Sequence, residues 1–115
     1  MAHLAQYRFC RYVQYKFPEH FKNADYVGCD LGEGKNVNVV SKIHEYKGDD
    51  NSFDTIITTE CLEHDEHYEK SIQNMLRMLK PQGLFIITCA TTGRPEHGTR
   101  ATDGKLSCPV LETDY

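Results

Sequence analysis

From residue 25 onward the chain falls into short apolar runs separated by polar turns, with one long helical stripe among them. Residues 25–30, Asp-Tyr-Val-Gly-Cys-Asp, read as a short buried strand that ends in a carboxylate. Val37, Val39 and Val40 mark a second strand, and residues 54–60, rich in β-branched side chains, a third. Between residues 65 and 80, Tyr68, Ile72, Met75, Leu76 and Leu79 share one face of a helix. Asp65, Glu66 and Glu69 open it, and Arg77 and Lys80 close it, the order that suits the helix dipole. Pro81 and Gly83 end it. Residues 84–89, Leu-Phe-Ile-Ile-Thr-Cys, form a fourth strand, apolar on both faces and so expected inside a sheet covered by helices on both sides.

Strand, long helix, strand is a parallel crossover, which makes the chain an α/β protein. Residues 31–36 and 47–52 have turn chemistry. The first 21 residues are aromatic-rich, with Tyr7, Phe9, Tyr12, Tyr15, Phe17 and Phe21. Phe9, Val13 and Phe17 fit a helix face, while Tyr7, Phe9, Val13, Tyr15 and Phe17 also fit the alternate positions of a strand. The helical reading is preferred, and Pro18 ends either. After Ala90 the sequence turns loop-like, with no strong element before Tyr115.

Length and composition narrow the picture. A chain of 115 residues is one domain, with a net charge of -4 and 26% charged residues. No basic run calls for nucleic acid or an anionic membrane. No apolar stretch approaches the roughly 20 residues of a membrane span, and the first residues lack a signal peptide's apolar core. The five cysteines, Cys10, Cys29, Cys61, Cys89 and Cys108, are scattered and form no Cys-x-x-Cys pair. Free thiols in the cytoplasm are the simplest expectation. Cys61, His64 and His67 have a spacing compatible with zinc, but no fourth ligand stands near, so no metal is expected.

Three stretches together carry a family resemblance. They are Asn51-Ser52-Phe53-Asp54-Thr55-Ile56-Ile57, then Glu60-Cys61-Leu62-Glu63-His64, then Met78-Leu79-Lys80-Pro81-Gln82-Gly83-Leu84. In this order and spacing they resemble the signature of class I S-adenosylmethionine-dependent methyltransferases of the type 11 kind, over about residues 24–98. Residues 1–23 precede the resemblance and 99–115 form an irregular tail. Gln82 departs from the family's usual glycine. The resemblance implies a Rossmann-like, doubly wound parallel sheet in three α/β/α layers, with ligands at the carboxyl ends of the strands. It implies S-adenosylmethionine as cofactor and methyl transfer to a small-molecule acceptor.

Carried over by position, Asp30 matches the acidic residue that binds the cofactor's ribose, with Leu31 and Gly32 following it. Residues 40–45 match the stretch against adenine. Lys42 stands where an acid is common, leaving the backbone of Ile43 and the side chain of His44 as contacts. Glu60 matches a position near the cofactor's methionyl part. Glu63, His64, Arg94 and His97 are candidates for the acceptor, and Glu63 and His64 alternatively cap the following helix. None of His44, His64 and His97 is privileged as a base.

Family members begin with a strand and an acidic glycine loop, whereas the first glycine here is Gly28. The fold is therefore expected to be incomplete, lacking that first strand and the elements after the fifth. A rival alignment takes residues 30–34, Asp-Leu-Gly-Glu-Gly, as the glycine loop itself. A non-catalytic fragment or interaction module is the alternative function. A dinucleotide-binding domain would need a Gly-x-Gly-x-x-Gly spacing that is absent. The oligomeric state is left open.

Overall fold

A computed structural model of the chain describes residues 2–7 and 21–95, with the backbone alone for residues 2–7. The elements are β1 (Ala2–Tyr7), β2 (Ala24–Asp30), β3 (Val39–Val40), β4 (Phe53–Thr59), α1 (Tyr68–Met78) and β5 (Leu79–Thr88). Single 3-10 turns lie at Ile43–Glu45 and Leu62–His64. The strands form one sheet in the order β3-β2-β1-β4-β5, and every neighbouring pair is parallel. This is the order of a Rossmann-like sheet, whose chain starts in the middle and winds outward to both edges.

The expectation of a missing first strand does not hold. Ala2–Tyr7 occupies the position between β2 and β4, with Tyr7 opposite both Cys29 and Thr58. Its sequence, Ala-His-Leu-Ala-Gln-Tyr, carries no acid, lysine or arginine, so a central position is tolerable. The helical reading of Phe9, Val13 and Phe17 falls on residues 8–20, outside the described residues. Because Ala24–Asp30 is second in the winding order, the rival placement of residues 30–34 directly after the first strand also falls.

At the other side, β5 is the last strand of the sheet among the described residues, not an interior one. Leu84, Ile86 and Ile87 are exposed, so its apolar character on both faces does not report burial there. The described residues contain one α-helix, which leaves a third layer outside what they show.

The helix is shorter than its periodicity predicts and is rotated. Its buried face is Ser71, Met75 and Met78, while Tyr68 and Leu76 are about half exposed. Met75 and Met78 pack with Cys29, Ile43, Phe53, Ile56, Cys61 and Leu62, and Ile72, Leu79 and Phe85 flank that cluster. The helix starts later than predicted because Asp65 acts from outside it. The Asp65 carboxylate accepts the His67 N–H at 2.8 Å and the Ser71 hydroxyl proton. Glu63 and His64 therefore do not cap it.

Two of the sequence stretches meet at the far end of α1. The Ser52 N–H donates to the Met78 carbonyl at 2.8 Å, and Asn51 N–H to that of Arg77 at 3.0 Å. Lys80 Nζ lies 3.0 and 3.1 Å from the two Asp54 oxygens, and Arg77 pairs with Asp50. Leu79 then pairs with Phe53, and residues 80–83 bulge out before Leu84 pairs with Thr55. Pro81 and Gly83 thus mark a break inside the span of β5 rather than a free turn, with Gln82 at φ 63°. The partly exposed ion pairs contribute about 0–1 kcal/mol each; the backbone bonds set the joint.

Candidate functional site

Parallel pairing brings all five strand ends to one rim. Tyr7 faces Cys29 and Thr58, Asp30 faces Val40, and Thr59 faces Thr88. The chain winds toward β2 on one side of β1 and toward β4 on the other. The crevice outside the carboxyl ends of β1 and its neighbours is therefore the switch point, where ligands bind in open α/β sheets.

Asp30 closes β2 at this rim and is only 7% exposed. Its carboxylate accepts the Leu31 N–H at 2.7 Å, which turns the chain sharply after the strand. The loop that follows folds back along β2. Gly28 N–H donates to Asn38 Oδ1, and Asn38 N–H to the Gly28 carbonyl, both at 2.8 Å. Leu31 is half-buried and Gly32 exposed, with open space where a Cβ at Gly32 would stand. Asp30, Leu31 and Gly32 thus lead the chain from the buried end of β2 out to the surface of the rim.

Ile43 and His44 are placed differently. The Ile43 side chain is in the core, and its carbonyl already accepts from Asn74 Nδ2 at 2.7 Å. His44 lies edge-on to His67 with ring centroids 4.5 Å apart, and its Nε2 is 3.7 Å from Glu45. The segment packs on α1 and borders an open depression of about 460 Å³ with Lys47, Asn74 and Arg77. The Ile43 side chain is thus part of the core, and its carbonyl fastens the segment to α1 through Asn74.

Glu60 follows β4 at φ 49°, in the left-handed region that longer side chains seldom adopt. Its N–H donates to the Thr88 carbonyl at 2.8 Å, which pins the turn to the end of β5. Arg94 donates to its carboxylate at 2.6 Å. That bond, helped by the Thr88 hydroxyl and the nearby Glu63, holds the Glu60 carboxyl below its usual range against the opposing effect of burial. Glu60 and Arg94, from separate segments, are thus brought together. Glu63 lies in the turn Leu62–His64 with both carboxyl oxygens secluded, in side-chain contact with Glu60. His64 is half-buried in the same turn. His97 lies outside the described residues.

Thr58 and Thr59 escaped the sequence reading. They are 0% and 9% exposed, and neither hydroxyl has a partner. The signal was present: two hydroxyls in succession at the carboxyl end of a buried strand. The Cys61 thiol beside them is fully buried. Burial pushes its pKa far up, and Asp65, Glu63 and Asp30 add to the rise while the Thr58 hydroxyl opposes it. Among the described residues no group of three or more His, Cys, Asp or Glu is placed to hold a metal. No helix among them is long and apolar enough to cross a membrane.

The Glu60–Arg94 pair sets a pH dependence. A carboxyl whose folded pKa is depressed contributes stability above its unfolded value of about 4.3, and loses it as pH falls through the folded value. Thermal unfolding at pH 6 and at pH 3 is expected to show a smaller acid loss for Glu60→Gln than for the unsubstituted chain. Equal losses would show that the pair contributes nothing to folding. The effect is small, because both side chains are partly exposed.

The family model described as "Methyltransferase domain" matches residues 4–87, well over half of the chain. The match begins inside β1 and ends inside β5, so it takes in every strand described above. A comparison with curated proteins finds no match.

Proposed function

Because the chain belongs to the methyltransferase-domain family, we propose that it moves a methyl group from S-adenosylmethionine, bound along the carboxyl rim of the sheet, to a small-molecule acceptor. The observation that carries this reading is Asp30, a carboxylate almost wholly buried at the end of β2, beside the switch point. The residues present fit the cofactor at two places. Asp30 is positioned to accept hydrogen bonds from vicinal ribose hydroxyls, with the open space at Gly32 beside it. The buried hydroxyls of Thr58 and Thr59, without a hydrogen-bond partner, lie near the end of β4. When bound, the cofactor supplies a methyl group on a sulfonium, open to in-line displacement. The protein's part is then to position the reactants and exclude water, which can supply much of the rate. A three-layer α/β/α arrangement belongs to the same reading, since right-handed crossovers put the β1-to-β2 and β4-to-β5 connections on opposite faces.

Calorimetric titration of the folded chain with S-adenosylhomocysteine tests the proposal. Micromolar binding is expected, and Asp30→Ala is expected to weaken it at least about tenfold, the loss of a charge-assisted hydrogen bond. No binding at millimolar ligand would refute it. That outcome would favour a non-catalytic interaction module, the reading suggested by the exposed apolar strand β5 and by the lack of glycine between residues 1 and 27.

A further inference from the structure

Strand β5 presents an edge whose two halves differ. The first half is guarded. Lys80, Pro81 and the bulge over residues 80–83 are devices that keep edge strands from pairing with other chains. The second half, residues 84–88, has none of them. It runs in unbroken register along β4, from Leu84 opposite Thr55 to Thr88 opposite Thr59. Leu84 is 56% exposed, Ile86 37% and Ile87 40%. A regular, uncharged, apolar edge is a template for a further strand.

The backbone decides which groups are on offer. The Thr88 carbonyl accepts the Glu60 N–H, so Thr88 turns its polar groups toward β4. Successive residues of a strand alternate in direction, so Ile86 and Leu84 turn theirs the same way, and Phe85 and Ile87 turn theirs to the other side. Among the described residues no strand lies on that side. An antiparallel copy of β5 centred on Ile86 matches this arrangement. Phe85 and the partner's Ile87 then exchange N–H and C=O bonds, as do Ile87 and the partner's Phe85. Ile86 meets the partner's Ile86 at the closer, non-hydrogen-bonded spacing. No charge opposes another in this register, because residues 83–89, Gly-Leu-Phe-Ile-Ile-Thr-Cys, carry none. The chain's own continuation is led elsewhere. Arg94 donates to Glu60 at the end of β4, which draws residues 91–95 across the rim and inward from the β5 edge.

We propose that two copies of this chain join along residues 84–88 of β5, antiparallel about a two-fold axis at Ile86, into one continuous sheet. The pairing uses up the exposed β5 edge of both copies. The outer edge of each copy is then β3, which is two residues long, so assembly stops at the dimer. Dimer formation does not depend on the cofactor.

Sedimentation equilibrium of the whole chain across micromolar concentrations tests this. The unsubstituted chain is expected at twice its 13.2 kDa and at no larger mass. Ile86→Lys sets two like charges against each other at the axis and is expected at 13.2 kDa. Ile86→Glu is expected to behave the same way. Mixed in equal amounts, the two variants are expected to return to the dimer mass, because the lysine of one copy then faces the glutamate of the other. That recovery also shows that both variants are folded. Leu76→Lys, on the exposed side of α1, is expected to leave the dimer intact. Each of the opposite results overturns the proposal: a monomeric unsubstituted chain, a mass above the dimer, a dimer that survives Ile86→Lys, a dimer lost in Leu76→Lys, or a mixture that stays monomeric.

Discussion

Gly28→Ala is expected to destabilise the chain by about 3 kcal/mol, the upper part of the range for overpacking a tight site. A Cβ at this position would overlap the Asn36 carbonyl oxygen and stand 2.8 Å from the Tyr26 hydroxyl and 3.0 Å from the Asn36 carbonyl carbon. The obstacle is mostly backbone, which cannot swing aside as a side-chain tip can. Residues 31–38 are moreover held against β2 by two hydrogen bonds to Gly28 itself. Relieving the overlap means breaking them. For a domain of this size each kcal/mol lowers Tm by roughly 4–8 °C. Urea unfolding gives the figure directly, and a loss under about 0.5 kcal/mol would mean that the loop does not lie on β2 as described. Asp30 is two residues away, so the substitution is expected to impair ligand binding even where the chain remains folded.

Asn74→Ala is expected to have the next largest effect. Asn74 Nδ2 donates to the carbonyls of Ile43 and Tyr46, at 2.7 and 2.9 Å, and its Oδ1 accepts from Arg77 Nε at 3.0 Å. One side chain therefore fastens the turn Ile43–Glu45 to α1. Removing it withdraws a donor from two partly buried carbonyls, a loss of about 1–3 kcal/mol. Asn74→Asp is the control, because it keeps the shape and replaces the amide donor with an acceptor. It is expected to destabilise at least as much. If Asp restores the stability that Ala loses, packing rather than hydrogen bonding holds the segment.

The legible parts of this chain were those governed by local chemistry. The β-branched run of β4, the polar turns and the existence of α1 follow from side-chain type and spacing, and the structure contains them. The family resemblance rested on residues 51–57, 60–64 and 78–84, and the structure gives a physical reason for two of these. Lys80 meets Asp54, and the Ser52 amide meets the Met78 carbonyl, so they are halves of one joint. What was not legible depended on neighbours. Ala2–Tyr7 has too weak a pattern to announce a strand, and only pairing on both sides makes it one. Leu84 and Ile86 looked interior because apolar, but burial is decided by what covers a strand, and β5 ends the sheet among the described residues.

At the site, Asp30 could be read from its place after an apolar strand. The surroundings of Ile43 and His44 could not be read from sequence, since the groups that engage them, Asn74 and His67, lie on or beside a helix more than twenty residues away.

The backbone at Glu60 constrains what can ever replace it. With φ at 49°, the position imposes a conformational filter that is independent of its charge. Glycine, asparagine and aspartate pass such a filter most easily, whereas valine, isoleucine and threonine meet a steric penalty at the Cβ branch. Drift at this position is thereby channelled. A sequence that gives up the carboxylate can do so cheaply through glycine or asparagine, and one that keeps an acid can shorten it to aspartate. The larger apolar residues that would otherwise suit the end of a buried strand are closed off by geometry before chemistry is consulted.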